Sequence, residues 1–138
     1  MFRRLDVRYT YNGQHSAWAE STQNIAIGPD QQSISLSPGQ IANSLAIDCD
    51  NPGKYNVVYQ IDATLAEDLS IQFSVMQTQY DNDDQSNEEG QLGPYSFNAP
   101  IDGQTSGWMA IQTVETPFGS WEDGPARFSF TATNSQDD

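Results

Sequence analysis

The sequence predicts an all-β protein, a single antiparallel β-sandwich or jelly-roll-like domain of about seven to nine strands. Three observations carry this. Apolar and polar residues alternate at period two in separate runs, at residues 5–11, 55–65, 69–75 and 126–133, the spacing that places every second side chain on one face of a strand. Clusters of Gly, Pro and Asn interrupt these runs roughly every ten residues, as the turns of a many-stranded sheet require. No stretch sustains the apolar period of an amphipathic helix. The length of 138 residues fits one domain spanning 1–138.

Taken in order, the first run puts Leu5, Val7, Tyr9 and Tyr11 on one face. Asn12-Gly13 follows at once and suits the two positive-φ positions of a type I′ turn, so a hairpin is expected to return through residues 14–20 with Trp18 as its bulky member. Short strands are expected at 24–27 and 33–36, separated by a turn at Gly28-Pro29-Asp30 and closed by Ser37-Pro38-Gly39. Residues 41–48 fit helical turns through Ile41 and Leu45, or a strand through Leu45 and Ile47, and the strand is preferred.

After Asn51-Pro52-Gly53, eleven residues from Tyr55 to Leu65 alternate without interruption and form the expected central strand. The stretch Pro52-Gly53-Lys54-Tyr55-Asn56-Val57-Val58-Tyr59-Gln60-Ile61 resembles the G-x-Y-x-V-x-Y-x-I strand of trimeric jelly rolls of the C1q and tumour-necrosis-factor type. That resemblance covers about ten residues of a general strand pattern, and no family is assigned from it. Glu67-Asp68 turns the chain into Leu69, Ile71, Phe73 and Val75, after which the large residues shift to Met76 and Tyr80, so a bulge or exit from the core is expected. Residues 81–93, with five carboxylates and almost nothing to bury, read as an exposed acidic loop. Strands are expected again at 95–97, 108–116 and 126–133, before a polar tail at 134–138.

Charge and composition exclude several functions. Five Lys and Arg against 19 Asp and Glu give a formal net charge of −14, which repels phosphate and argues against nucleic-acid partners. No run approaches the roughly 20 apolar residues of a spanning helix, and Asp6 and Arg8 interrupt the start where a secretory signal would need an apolar stretch. Neither membrane insertion nor export is expected. The single Cys49 excludes an internal disulfide.

Catalytic groups are scarce, with His15 the only imidazole and Cys49 the only thiol. Cys49 lies between Asp48 and Asp50, whose charges oppose a thiolate. The chain is therefore expected not to be an enzyme. Asp81-Asn82-Asp83-Asp84 begins like an EF-hand loop, but Ser86 and Leu92 stand where Gly and Glu are required. A looser Ca²⁺ site could use Asp81, Asp83 and Asp84 with Glu88 or Glu89; a solvated loop is preferred, and no cofactor is expected.

Two features suit contact with a partner. Sugar-binding sandwiches present flat aromatic platforms, and Trp121, in what reads as a loop at 119–124, and Trp108 are the candidates here. The ordinary alternative is that each tryptophan closes one end of the core. Arg3, Arg4 and Arg8 crowd into the first eight residues, while the rest of the chain holds only Lys54 and Arg127 as cations. Residues 1–8 are therefore read as a basic N-terminal arm able to dock on an acidic patch of a neighbouring subunit, or as a strand end with solvated arginines.

The expected function is a non-enzymatic structural subunit of a virus particle, such as a phage capsid decoration (cement) protein or other exterior virion protein. It would act by protein–protein contacts through Arg3, Arg4 and Arg8. Its partners would be other capsid or virion subunits and further copies of itself, with a trimer as the candidate oligomer. It would be made in the host cytoplasm and reside on the virion surface. The alternative is a carbohydrate-binding β-sandwich using Trp108 or Trp121, calcium-assisted or serving as a virion receptor-binding protein.

Overall fold

The computed structural model describes residues 2–17, 23–37, 41–51, 55–80, 88–111, 114–115 and 121–137. Among them are nine strands: β1 (Arg3–Ala17), β2 (Gln23–Leu36), β3 (Ala42–Asn51), β4 (Tyr55–Leu65), β5 (Ile71–Tyr80), β6 (Glu88–Ala99), β7 (Gln104–Ile111), β8 (Val114–Glu115) and β9 (Trp121–Gln136). They form two antiparallel sheets, one in the order β2-β1-β9-β7 with β8 also paired to β9, the other in the order β3-β4-β5-β6. The β-sandwich is as expected. The four-stranded sheet, however, is a plain meander of sequential neighbours, whereas a jelly roll is built from two Greek keys.

Alternation explains the core. The odd-numbered residues Leu5, Val7, Tyr9 and Tyr11 of β1 are buried, as are Phe128, Phe130 and Ala132 of β9, which alternate with exposed or half-buried neighbours. From the other sheet come Ile47 and Cys49 of β3, Val57, Tyr59, Ile61 and Ala63 of β4, and Ile71, Phe73 and Val75 of β5. Rings seal the layer between the sheets: Tyr59 stacks on Phe128 with centroids 4.0 Å apart, and Phe130 meets Phe97 edge-on at 5.0 Å. β4 occupies the bounds that its alternation indicates, and of 41–48 all but Ile41 lie in strand β3 rather than a helix.

Several local readings change. Asn12-Gly13 makes no hairpin, because β1 runs straight through it. Asn12 lies opposite Ala26 on one side and Arg127 on the other, and Gly13 opposite Ile25 and Ala126. With partners on both sides the pair stays extended, and neither residue takes positive φ. For the same reason the expected basic arm at 1–8 is, from Arg3 onward, the first half of a strand paired to both β2 and β9. The polar tail is likewise structured, with β9 continuing to Gln136 and Asn134 fully buried. Part of the expected acidic loop is strand, since β6 begins at Glu88; residues 81–87 lie outside the described residues.

Gly28-Pro29 is a bulge, not a turn. Tyr9 pairs with Asp30 and Tyr11 with Ile27, so Gly28 and Pro29 together face the single residue Thr10. Gly93-Pro94 repeats the device in β6, where Val75 pairs with Tyr95 and Gln77 with Leu92, leaving both residues opposite Met76. This places the irregularity expected after Val75 in the neighbouring strand, and β5 keeps its phase with Gln77 and Gln79 buried. Each bulge requires its glycine: φ is +90° at Gly28 and +102° at Gly93, and a Cβ would lie 2.5 Å from the Tyr9 carbonyl oxygen and 2.8 Å from that of Val75. Gly28→Ala and Gly93→Ala are each expected to destabilise the protein by roughly 3 kcal/mol. Urea denaturation checks this, and an unchanged midpoint would show that the bulge accepts a side chain.

The β4–β5 turn is held by Asp68, which accepts hydrogen bonds from the Ser70 hydroxyl at 2.6 Å and the Ser70 backbone N–H at 3.0 Å. These bonds hold its carboxyl below the usual carboxylate range. Leu69 between them takes φ 66°.

Candidate binding face on the five-stranded sheet

Because odd residues of β1 and even residues of β9 point inward, the opposite parity faces solvent, and register decides which outward side chains meet. Arg8 of β1 and Ser106 of β7 both lie opposite Thr131 of β9. One row on, Thr10 and Trp108 both lie opposite Ser129. Arg127 follows two residues along β9, on the same face. On β7, Gly107 and Met109 fix the parity: Met109 is buried, and a Cβ on Gly107 would come within 2.8 Å of the Phe97 and Phe130 rings. Trp108 is thereby turned outward, with 60% of its surface exposed.

Arg127 lies over this ring, its guanidinium carbon 4.7 Å from the ring centroid, a cation–π contact that holds the charge beside an aromatic face. Arg8, Thr10, Pro29, Ser106, Trp108, Arg127, Ser129 and Thr131 surround an open depression of about 440 Å³. The Ser106 and Thr131 hydroxyls are 3.0 Å apart and bonded to each other. Among the described residues neither Arg8 nor Arg127 forms an ion pair. The face thus combines an exposed indole, two guanidinium groups and hydroxyls that both donate and accept.

The three arginines of the first strand part company. Arg3, on the inward parity, is only 1% exposed, which removes it from any partner surface. Its Nε donates to Asn134 Oδ1 at 2.9 Å, and its Nη2 donates to Asp102 Oδ1 at 2.7 Å and to the Asn134 carbonyl oxygen at 3.4 Å. Asn134 in turn donates from Nδ2 to the carbonyl oxygens of Leu69 at 2.9 Å and Ala99 at 3.1 Å. A side chain read as a partner anchor is held inside the fold, and it is Asn134 that ties the five-stranded sheet to β6 and the β4–β5 turn. Arg4 is half-exposed and paired within the chain to Asp6 at 2.8 Å and Asp137 at 3.3 Å. Arg8 alone of the three is exposed and without an acidic partner among the described residues.

Trp121 opens β9 opposite Ala17 rather than lying in a loop, and its side chain lies outside the described residues. Trp18, Asp81, Asp83 and Asp84 also lie outside them. Among the described residues no three His, Cys, Asp or Glu side chains gather as metal ligands. Arg127 is the member of the face that sequence reasoning missed. Its only signal was being one of two cations beyond the first strand, and its place beside Trp108 depends on the β7–β9 register.

Cys49 is fully buried, and burial first, then the Asp48 charge, pushes its thiol up to about 12. It is expected to resist a disulfide reagent at pH 8 in the native protein and to react once urea exposes it; rapid native reaction would contradict its burial. An unfolded thiol ionises near about 8.5, so above that pH the unfolded chain holds fewer protons than the folded one. This group therefore makes stability fall as pH rises from about 8.5 toward 12.

The chain matches no family model and no curated protein sequence.

Proposed function

We propose that this chain is a non-enzymatic exterior subunit of a virus particle, of the phage decoration or receptor-contacting kind, working by surface contact through the outer face of its five-stranded sheet. The supporting observation is the cluster of Trp108, Arg127 and Arg8 on that face, the residue types that dominate contact energy at binding surfaces. The acidic, nearly cysteine-free all-β body and the buried state of its one thiol agree with a contact role. Arg8 takes over the anchoring that was expected of the three arginines together. Sedimentation of the native source material, followed by mass spectrometry for this chain, tests the proposal. Recovery with large particles is expected; recovery only as the 15.3 kDa chain or a small oligomer would overturn it.

A second reading, carbohydrate binding, is favoured by one observation: Trp108 is 60% exposed beside hydroxyls in a depression of about 440 Å³, within the size range of small-ligand sites. A virion receptor-binding protein would satisfy both readings.

A further inference from the structure

We infer that the depression beside Trp108 binds an acidic sugar, a pyranose carrying a carboxylate, with the ring against the indole and the carboxylate between Arg127 and Arg8. This rests on the carbohydrate reading and adds the chemical class of the ligand. The charge pattern carries it. In a chain of net charge −14, most surface repels an anion. Arg3 is sealed in the interior and Arg4 is neutralised by Asp6 and Asp137. Arg8 and Arg127 line one depression with no ion-pair partner among the described residues.

Guanidinium groups recognise carboxylates through paired N–H donors. Stacking on Trp108 holds the Arg127 group near the place where a sugar ring would lie. The hydroxyls of Ser106, Ser129 and Thr131 match the mixed donor and acceptor character of sugar hydroxyls. Within that face, the depression itself suits a single small ring, and the protein contacts of the proposed function would fall on the sheet surface around it. A stable protein interface buries about 1,200–2,000 Å² around an apolar centre, whereas in the depression a single exposed indole stands among hydroxyls and charges.

Calorimetric titration with trigalacturonate and its methyl ester tests the inference, with polyglutamate as a carboxylate lacking sugar rings. The acid form is expected to bind at least about tenfold more tightly than the ester, and raising NaCl from 50 to 500 mM should narrow that gap. The double variant Arg8→Gln, Arg127→Gln should bind both forms equally, while Trp108→Ala should lose both. All three changes lie at surface positions, and circular dichroism confirms folding. Equal binding of acid and ester by the parent protein, abolished by Trp108→Ala, would overturn the acid preference and leave the carbohydrate reading standing. No binding to either form, or to any member of an array of acidic and neutral glycans, would overturn both. Binding of polyglutamate as tight as that of trigalacturonate, unaffected by Trp108→Ala, would reduce the face to simple charge attraction and overturn the inference.

Discussion

Replacing Asn134 by alanine is expected to lower stability by about 3–5 kcal/mol, read as a fall in the urea midpoint at unchanged slope. Asn134 is fully buried and serves three partner atoms through its side-chain amide: its Oδ1 accepts from Arg3 Nε, and its Nδ2 donates to the carbonyl oxygens of Leu69 and Ala99. Its own carbonyl receives the Arg3 Nη2 group. Alanine would strand two backbone carbonyls and leave a buried guanidinium with Asp102 as its remaining side-chain partner. Asp102→Asn should cost far less, about 0–1 kcal/mol, because the Asp102 side chain is 71% exposed and its charge is screened by water. Arg3→Met should be milder than Asn134→Ala, since it removes the buried charge along with its bonds. A loss below about 1 kcal/mol for Asn134→Ala would mean that the tie adds little beyond the strand ladders.

The second large effect is expected at Phe128, whose change to alanine should cost about 3–5 kcal/mol. Its ring stacks on Tyr59 at 4.0 Å and also meets Tyr9 at 5.6 Å and Phe130 at 6.0 Å, so the cavity would open where the two sheets face each other. Neighbours fixed by strand pairing cannot collapse far into such a space. Trp108→Ala, an equally drastic truncation at an exposed position, should stay within about 0.5 kcal/mol of the parent. Thermal and urea unfolding of both variants check the contrast. Equal losses would mean that the indole on the outer face is packed as structure rather than presented for contact.

The residues that were legible in the sequence are those whose behaviour depends only on their neighbours along the chain. Tyr55 to Leu65 alternates without interruption and is a strand over that span; Leu5 to Tyr11 and Phe128 to Ala132 bury the expected parity. Misreadings arose where distant partners override a local preference. Asn12-Gly13 would turn a free hairpin, but two flanking strands hold it flat. Gly28-Pro29 breaks a strand in isolation, yet at a sheet edge it is absorbed as a bulge. Arg3 looks like a solvated charge until residues 99 and 131 positions away supply Asp102 and Asn134. The binding face was half visible: Trp108 stood out by type, whereas its pairing with Arg127 follows from strand order, which alternation does not encode.

The two Gly-Pro bulges sit in β2 and β6, each the outermost strand at one side of its own sheet. An outer strand with a regular backbone invites another chain to continue the sheet, the route by which β-proteins polymerise. A kink opposite Thr10 and another opposite Met76 spoil that template, and each proline withholds an amide proton. Copies crowded together at high local density would therefore be discouraged from fusing along these borders into fibres. Along these two borders, contact between copies would be left to side chains rather than to a continued backbone ladder.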